Sequence, residues 1–171
     1  MPVMRLNHAV LYVRDALRSA SFYSEVLGFE RVMEMPRAVF LQAPGSTNDH
    51  DLGLFSIGDA AASSEAGGRT VGLYHLAWEV DTLEELARLE GVLRERGALV
   101  GASDHGSTKA LYAKDPDGLE FEVSWLVPAA LLDDETIRAR SSIRPLDIAG
   151  EIKRYGGQTH GGVGISIPAP A

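Results

Sequence analysis

The sequence contains no cysteine among its 171 residues. This absence excludes disulfides, thiolate zinc sites, iron–sulfur clusters and a cysteine nucleophile. Any metal that the protein binds must therefore be held by histidine, carboxylate, amide or hydroxyl groups.

Basic residues and long apolar runs are also scarce. Lys and Arg number 16 against 24 Asp and Glu, which gives a net charge of −8. Because such a surface repels phosphate backbones, nucleic acid is not expected as a partner. No apolar run approaches the roughly 18 residues of a membrane span, and Met1 to Asn7 lack an apolar signal core. We therefore expect no membrane partner and a soluble, cytoplasmic protein.

The sequence pattern predicts a strand, a helix and three further strands, and this order of elements occurs twice. Asp15 before the first helix and Gly28 after it are typical helix boundaries. The first half predicts strands at 6–13, 30–35, 38–42 and 50–57 and a helix at 16–27. The second predicts strands at 73–80, 98–101, 108–114 and 119–126, and a helix from Asp81 or Thr82 to about Arg96. A repeat of this kind indicates an α+β protein of two βαβββ modules.

The predicted domain boundaries follow from this repeat. The first module spans residues 1–57, a linker rich in Ser and Gly spans 58–69, and the second module spans 70–127. Residues 128–171 are predicted to form a C-terminal helical extension and a flexible tail. Within the extension we expect a helix capped by Asp133 or Asp134, a break at Pro145 and a second helix within 146–155.

Three polar residues occupy otherwise apolar strand faces: His8, His75 and Glu122. The two histidines lie at the same place in the two modules, so a symmetric pairing of the modules makes them neighbours. Glu122 points away from its neighbours Phe121 and Val123, because successive strand residues face opposite sides. Two imidazoles and one carboxylate form the facial triad of non-haem Fe(II) enzymes, which leaves positions open for substrate and dioxygen.

A plainer interpretation also fits these three residues. His8 and His75 can be interior histidines with ordinary hydrogen-bond partners, and Glu122 can lie on a solvated face. Folding alone does not require histidine at the same place in both modules, so the repeat favours the metal site.

The run Asp115-Pro116-Asp117-Gly118-Leu119-Glu120-Phe121-Glu122 reads as a turn followed by a strand. Together with His8 and His75, it resembles the vicinal oxygen chelate superfamily, which includes glyoxalase I, fosfomycin-resistance enzymes, bleomycin-binding proteins and type I extradiol dioxygenases. The resemblance covers about residues 5 to 126. It implies that the two βαβββ modules form a metal-holding cup, and that Glu122 rather than Glu120 is the ligand. Strand parity does not separate these two carboxylates, since both lie on one face.

Within the superfamily, the sequence is most similar to the extradiol dioxygenases. Members similar to glyoxalase I carry a fourth ligand near the position of Gly53, which has no coordinating side chain. His50-Asp51 resembles a His-Asp pair of the dioxygenases, in which the histidine serves in proton transfer. His105-Gly106-Ser107 and Tyr112 resemble a second element, whose side chains hydrogen-bond substrate or oxygen intermediates.

Each of these three matches also has a purely structural interpretation. His50 can be a histidine of a surface loop, and His105 a solvated turn residue. Tyr112 can pack its ring within a strand and leave its hydroxyl in water.

The sequence therefore predicts an Fe(II)-dependent extradiol-type dioxygenase that takes a catechol-like aromatic substrate and O₂ and forms a homodimer. Mn(II), Ni(II) and Zn(II) are the alternative metals. The alternative functions are a glyoxalase-like metal-dependent lyase, isomerase or thiol transferase, and a metal-free protein that binds small molecules such as drugs. Whether the modules pair within one chain or across a dimer stays open at this point.

Overall fold

Two β-sheets, of four and five strands, carry most of the secondary structure. The computed structural model describes residues 2–3 and 5–162. It divides into unit 1, Met1–Glu65 with Asp115–Leu119, and unit 2, Ala66–Lys114 with Glu120–Ala171. The predicted flexible segment 165–171 lies outside the described residues.

Unit 1 contains the first βαβββ pattern. Its sheet has the order β1-β4-β3-β2, in which β1 and β4 are parallel and the other pairs antiparallel. The elements are β1 Ala9–Val13, α1 Ala16–Leu27, β2 Glu30–Met35, β3 Ala38–Gln42 and β4 Leu52–Ser56.

Helix α1 begins and ends where the sequence predicts. The Asp15 carboxylate accepts hydrogen bonds from the backbone N–H groups of Leu17 and Arg18, and Gly28 ends the helix at φ 76°. The helix buries one stripe that includes Ala20, Tyr23 and Val26. Alternation in β1 leaves Tyr12 on the exposed face and buries Leu11 and Val13.

Unit 2 repeats the pattern and adds a strand. Its sheet has the order β5-β8-β7-β6-β9, with β5 and β8 parallel. The elements are β5 His75–Glu79, α2 Leu83–Glu95, β6 Leu99–Asp104, β7 Thr108–Lys114, β8 Glu120–Leu126, a short 3₁₀ helix Ala129–Leu131, α3 Asp134–Ala139, β9 Arg144–Pro145 and α4 Ile148–Tyr155. The α+β class with two βαβββ units is therefore confirmed. None of the helices in the described part of the chain is long and apolar enough to cross a membrane.

Several predicted boundaries are wrong by a few residues. β1 begins at Ala9, so His8 lies just before the strand, and β4 begins at Leu52, so His50 lies in the preceding loop. β6 extends to Asp104 because its end pairs with both β7 and β9. Pro145 does separate the helices α3 and α4, as predicted, and it lies in β9, where an edge strand tolerates the missing N–H.

The turn between β7 and β8 belongs to unit 1. The Asp115 carboxylate accepts hydrogen bonds from the N–H groups of Asp117 and Leu119, and Gly118 has φ 83°, which favours glycine. Asp117 is held by the guanidinium groups of Arg14 at 2.9 Å and Arg18 at 2.5 Å. The segment Asp115–Leu119 therefore forms a turn and also binds to the rest of unit 1 through ion pairs.

Candidate metal and substrate site

His75 and Glu122 approach each other on neighbouring strands of unit 2. His75 Nε2 lies 3.2 Å from Glu122 Oε2. Glu122 faces away from the core residues Phe121, Val123 and Trp125, as its position in the strand predicts. A histidine and a carboxylate thus converge on the face that the sequence assigns to the metal.

Glu120 has a different partner. It lies directly opposite His75 in the β5–β8 ladder, yet its carboxylate is hydrogen-bonded to the hydroxyl of Tyr74. The pKa of Tyr74 is raised, first by the negative charge of Glu120, then by desolvation of the tyrosine hydroxyl and by this hydrogen bond. The two carboxylates that strand parity leaves equivalent therefore have separate contacts.

A hydrogen-bonded group lies beside His75. Tyr112 is opposite Glu122 in the β7–β8 ladder, and its ring centre is 5.8 Å from that of His75. The Tyr112 hydroxyl lies 3.1 Å from His105 Nε2, and Ser103 Oγ lies 2.8 Å from the same nitrogen. Four predicted site residues, His75, His105, Tyr112 and Glu122, are thus brought together in unit 2.

Ser103 and Tyr74 are not among the site residues predicted from the sequence. The signal for Ser103 is its position two residues before His105, since alternate residues of an extended segment share a face. The signal for Tyr74 is only its position next to His75, whose ring it contacts at 4.5 Å between centres.

Unit 1 brings the two remaining predicted residues together. The rings of His8 and His50 are 4.5 Å apart between centres, and Phe40 packs edge-on against His50 at 5.0 Å. His50 Nδ1 lies 2.9 Å from Asp49 Oδ2, and His8 Nδ1 lies 2.7 Å from Asn7 Oδ1. Because a carboxylate or amide oxygen only accepts, both histidines donate through Nδ1, and Nε2 is the nitrogen not engaged in these contacts.

These donors suit a divalent cation. Two ligand atoms about 2.1 Å from one ion, at right angles to each other, lie about 3 Å apart. The separation of His75 Nε2 and Glu122 Oε2 in unit 2 is of this size. Within residues 2–3 and 5–162, no three His, Asp or Glu side chains already form a group arranged to hold a metal. Imidazole and carboxylate donors are the ligand types of non-haem iron and of zinc.

The position of a possible fourth ligand can be read from the two sheets. Val10, two residues after His8, lies opposite Gly53, and Ala77, two residues after His75, lies opposite Glu122. Gly53 therefore occupies the place in unit 1 that Glu122 occupies in unit 2. Unit 1 offers no coordinating side chain there.

Comparison with known proteins agrees with the fold. The profile of the Glyoxalase/Bleomycin resistance protein/Dioxygenase superfamily matches residues 5–123. A glyoxylase/bleomycin resistance protein/dioxygenase domain from Frankia sp. EAN1pec has a similar structure, with a TM-score of 0.60 and 22% sequence identity over 72% of this chain and 92% of that one.

Two enzymes from different branches are similar in sequence. The catechol-2,3-dioxygenase of Bacillus subtilis is 32% identical over 69% of this chain, which spans only 40% of that enzyme's length. A lactoylglutathione lyase of Neisseria meningitidis is 32% identical over 70% of this chain and 88% of the lyase. With the profile match and the shared fold, these similarities establish that the chain belongs to the Glyoxalase/Bleomycin resistance protein/Dioxygenase superfamily.

Proposed function

We propose that the protein is an Fe(II)-dependent extradiol-type dioxygenase that cleaves a catechol-like aromatic. His8, His75 and Glu122 hold the metal, and His50, His105 and Tyr112 bind the reactants and move protons. The observation that carries this proposal is the hydrogen-bonded group of Ser103, His105 and Tyr112 beside the His75–Glu122 pair.

The side chains have distinct tasks in this reaction. Tyr112 and His105 share a hydrogen bond, so a proton given to or taken from the tyrosine hydroxyl can be relayed to the imidazole. Free histidine has a pKa of about 6.5, which suits proton transfer near neutral pH. His50 presents Nε2 as an acceptor because its Nδ1 donates to Asp49.

Fe(II), when bound, supplies the dioxygen chemistry that no side chain can perform. In the overall reaction, the ring bond beside a hydroxyl-bearing carbon breaks, and both atoms of O₂ enter the ring-opened semialdehyde. Oxygen is therefore the oxidant and no external reductant is needed. Three protein ligands leave room for both reactants, which is why the glycine at position 53 favours the dioxygenase.

The lyase is the second candidate, because the chain spans most of the length of the lactoylglutathione lyase that it resembles. A lyase isomerises its substrate or adds a thiol without consuming oxygen. A metal-free binding protein is the third candidate and uses neither reaction.

An oxygen electrode distinguishes these candidates. Anaerobically Fe(II)-loaded protein is supplied with a panel of mono- and bicyclic catechols, and in parallel with methylglyoxal and glutathione. Oxygen uptake with formation of a yellow ring-opened product supports the proposal. Thioester formation without oxygen uptake supports the lyase instead, and no reaction in either assay favours the binding protein or a substrate outside the panel.

A further inference from the structure

The C-terminal extension lies beyond residues 5–123 and joins the strand that leads to His105. Strand β9 pairs with the end of β6, so that Pro145 lies opposite Ser103 and Arg144 opposite Asp104. Ser103 and Asp104 are the two residues before His105 in the sequence. The extension therefore contacts the backbone that carries this histidine.

The Asp104 carboxylate accepts hydrogen bonds from three groups on the core side of the sheet. Its Oδ1 accepts from Lys109 Nζ at 2.6 Å and from the N–H of Gly106 at 2.8 Å, and its Oδ2 accepts from Arg144 Nη2 at 2.8 Å. Lys109 also forms a close ion pair with Glu151 of α4, at 3.0 Å, without the alignment of a hydrogen bond. Lys109 is fully buried, and these two carboxylates compensate its positive charge in the absence of solvent.

The opposite face of the same strand carries the site residues Ser103 and His105. Because extended residues alternate, Ser103 and His105 face away from the side on which Asp104 meets Lys109. Ser103 Oγ holds His105 Nε2 at 2.8 Å. Asp104 projects from one face of this backbone, and Ser103 and His105 project from the other. A contact of the extension with Asp104 therefore also restrains the backbone that carries His105.

The turn after His105 is also held by the extension. Gly106 has φ 73°, and a Cβ atom there would lie 2.4 Å from the carbonyl oxygen of Thr136 and 2.9 Å from the N–H nitrogen of Arg140. The backbone at Gly106 thus packs directly against the end of α3. His105 has extension contacts on the residue before it and on the residue after it.

We infer that the C-terminal extension positions His105 for its role in the site, through the ion pair of Arg144 with Asp104. Arg144 and Asp104 are positioning residues, since they act through His105 and not on a reactant. This inference rests on the proposed function for the role of His105, but the geometry that it asserts belongs to the protein without metal or substrate.

The test is the spectrum of His105 in the full-length, metal-free protein labelled with ¹⁵N-histidine. The His105 signals are assigned with the His105→Asn variant, and His50 serves as the internal reference. In Arg144→Gln we expect the His105 imidazole signals to shift or broaden while those of His50 stay in place. Arg144→Lys keeps a cation near Asp104 and should restore the wild-type signals.

Arg88→Gln is the matched control, because Arg88 is also a guanidinium of unit 2 paired with a carboxylate, Glu85, on helix α2. It should leave His105 unchanged. Unchanged His105 signals in a folded Arg144→Gln protein overturn the inference. If circular dichroism shows that this variant is unfolded, Asp104→Asn decides in its place, because it removes the charge with which Arg144 pairs: shifted His105 signals support the inference and unchanged signals overturn it.

A kinetic measurement adds a second readout if the loaded protein cleaves a catechol. Arg144→Gln should then lower kcat about 10–100-fold with KM nearly unchanged, the usual range for a residue that supports a site residue. Absence of ring cleavage in the wild type defeats the proposed function and leaves the spectral test intact. Ring cleavage together with an unmoved His105 spectrum defeats only the positioning role.

Discussion

His75 Nε2 lies 3.2 Å from Glu122 Oε2, although the residue directly across the ladder from His75 is Glu120. The Glu120 carboxylate is instead hydrogen-bonded to the hydroxyl of Tyr74. Two carboxylates on the same strand face thus have different partners. Glu122 is therefore the carboxylate that we propose as a ligand beside His75.

The first prediction concerns metal content. Glu122→Ala should abolish tight binding of Fe(II), because it removes one of three proposed ligands. Glu120→Ala should retain most of the metal, because it removes only the partner of Tyr74. Metal analysis after anaerobic loading and desalting measures both. Equal metal content in the two variants would contradict the assignment of Glu122.

The second prediction concerns turnover. His105→Asn and Tyr112→Phe should each slow ring cleavage about 10–100-fold while the metal stays bound, since neither side chain is a proposed ligand. His160→Asn is the control, because His160 is exposed and pairs with Asp81, which is not one of the proposed site residues. Loss of metal from the Tyr112→Phe protein would argue that this residue supports the ligands and not the reaction.

Much of the fold could be predicted because local signals coincide with the tertiary contacts. Asp15 and Gly28 terminate α1 by their own hydrogen bonds and conformation, and the alternation in β8 buries Phe121 while Glu122 faces the other way. The approach of a β5 histidine to a carboxylate of β8 follows from two adjacent parallel strands. These features depend on short sequence distances or on the repeat.

The remaining features depend on contacts that no local pattern contains. Lys109 is charged, and charged residues are usually exposed, but it is buried because Asp104 and Glu151 neutralise it from two elements. The choice between Glu120 and Glu122 depends on where the side chains of Tyr74 and His75 point. Sequence parity is the same for both carboxylates and gives no information on that choice.

The third prediction is a loss of stability in acid. Burial raises the pKa of Asp117, but hydrogen bonds from the backbone N–H and side chain of Arg14, and the charge and hydrogen bond of Arg18, lower it below the ordinary value overall. The unfolded pKa is about 3.9. Since the folded pKa is lower, the stabilisation is fully present above the unfolded value and is lost as the pH falls through the folded value.

Thermal unfolding measured from pH 7 down to pH 3 tests this sign. The part of the melting temperature that Asp117 supports should be lost below about pH 4, as the pH falls through the unfolded and then the folded pKa. Asp117→Asn should start lower at pH 7 and lose less on acidification, because the titrating group is absent. Parallel curves for the two proteins would mean that Asp117 makes no contribution to the acid response.

The fourth prediction adds the ligand that unit 1 lacks. A Cβ atom at Gly53 would meet Phe40 and Val10 at 3.4 Å, an ordinary contact, and the glycine has no positive φ. Gly53→Glu should therefore fold. It should hold Fe(II) more tightly and consume less oxygen with catechols, because the new carboxylate fills a position that a reactant needs.

Gly53→Gln is the matched control, with the same side-chain length and no charge. It should change metal retention less than Gly53→Glu does. If Gly53→Glu keeps full oxygen uptake with catechols, position 53 does not face the metal.

The fifth prediction concerns the buried charge of Lys109. Lys109→Met removes the buried cation that is hydrogen-bonded to Asp104, and it removes the ion-pair partner of Glu151. Removing one member of a buried ion pair costs about 3–5 kcal/mol, because the remaining charge is poorly solvated. Chemical denaturation should therefore show a loss of this size in the free energy of unfolding.

The double variant Lys109→Met, Glu151→Gln removes one uncompensated carboxylate as well, so it should be more stable than Lys109→Met alone. Glu151→Gln by itself should destabilise the protein, because Lys109 then keeps only Asp104. If the double variant is instead as unstable as the sum of the two single variants, Lys109 and Glu151 act independently and the ion pair does not hold α4 on the sheet.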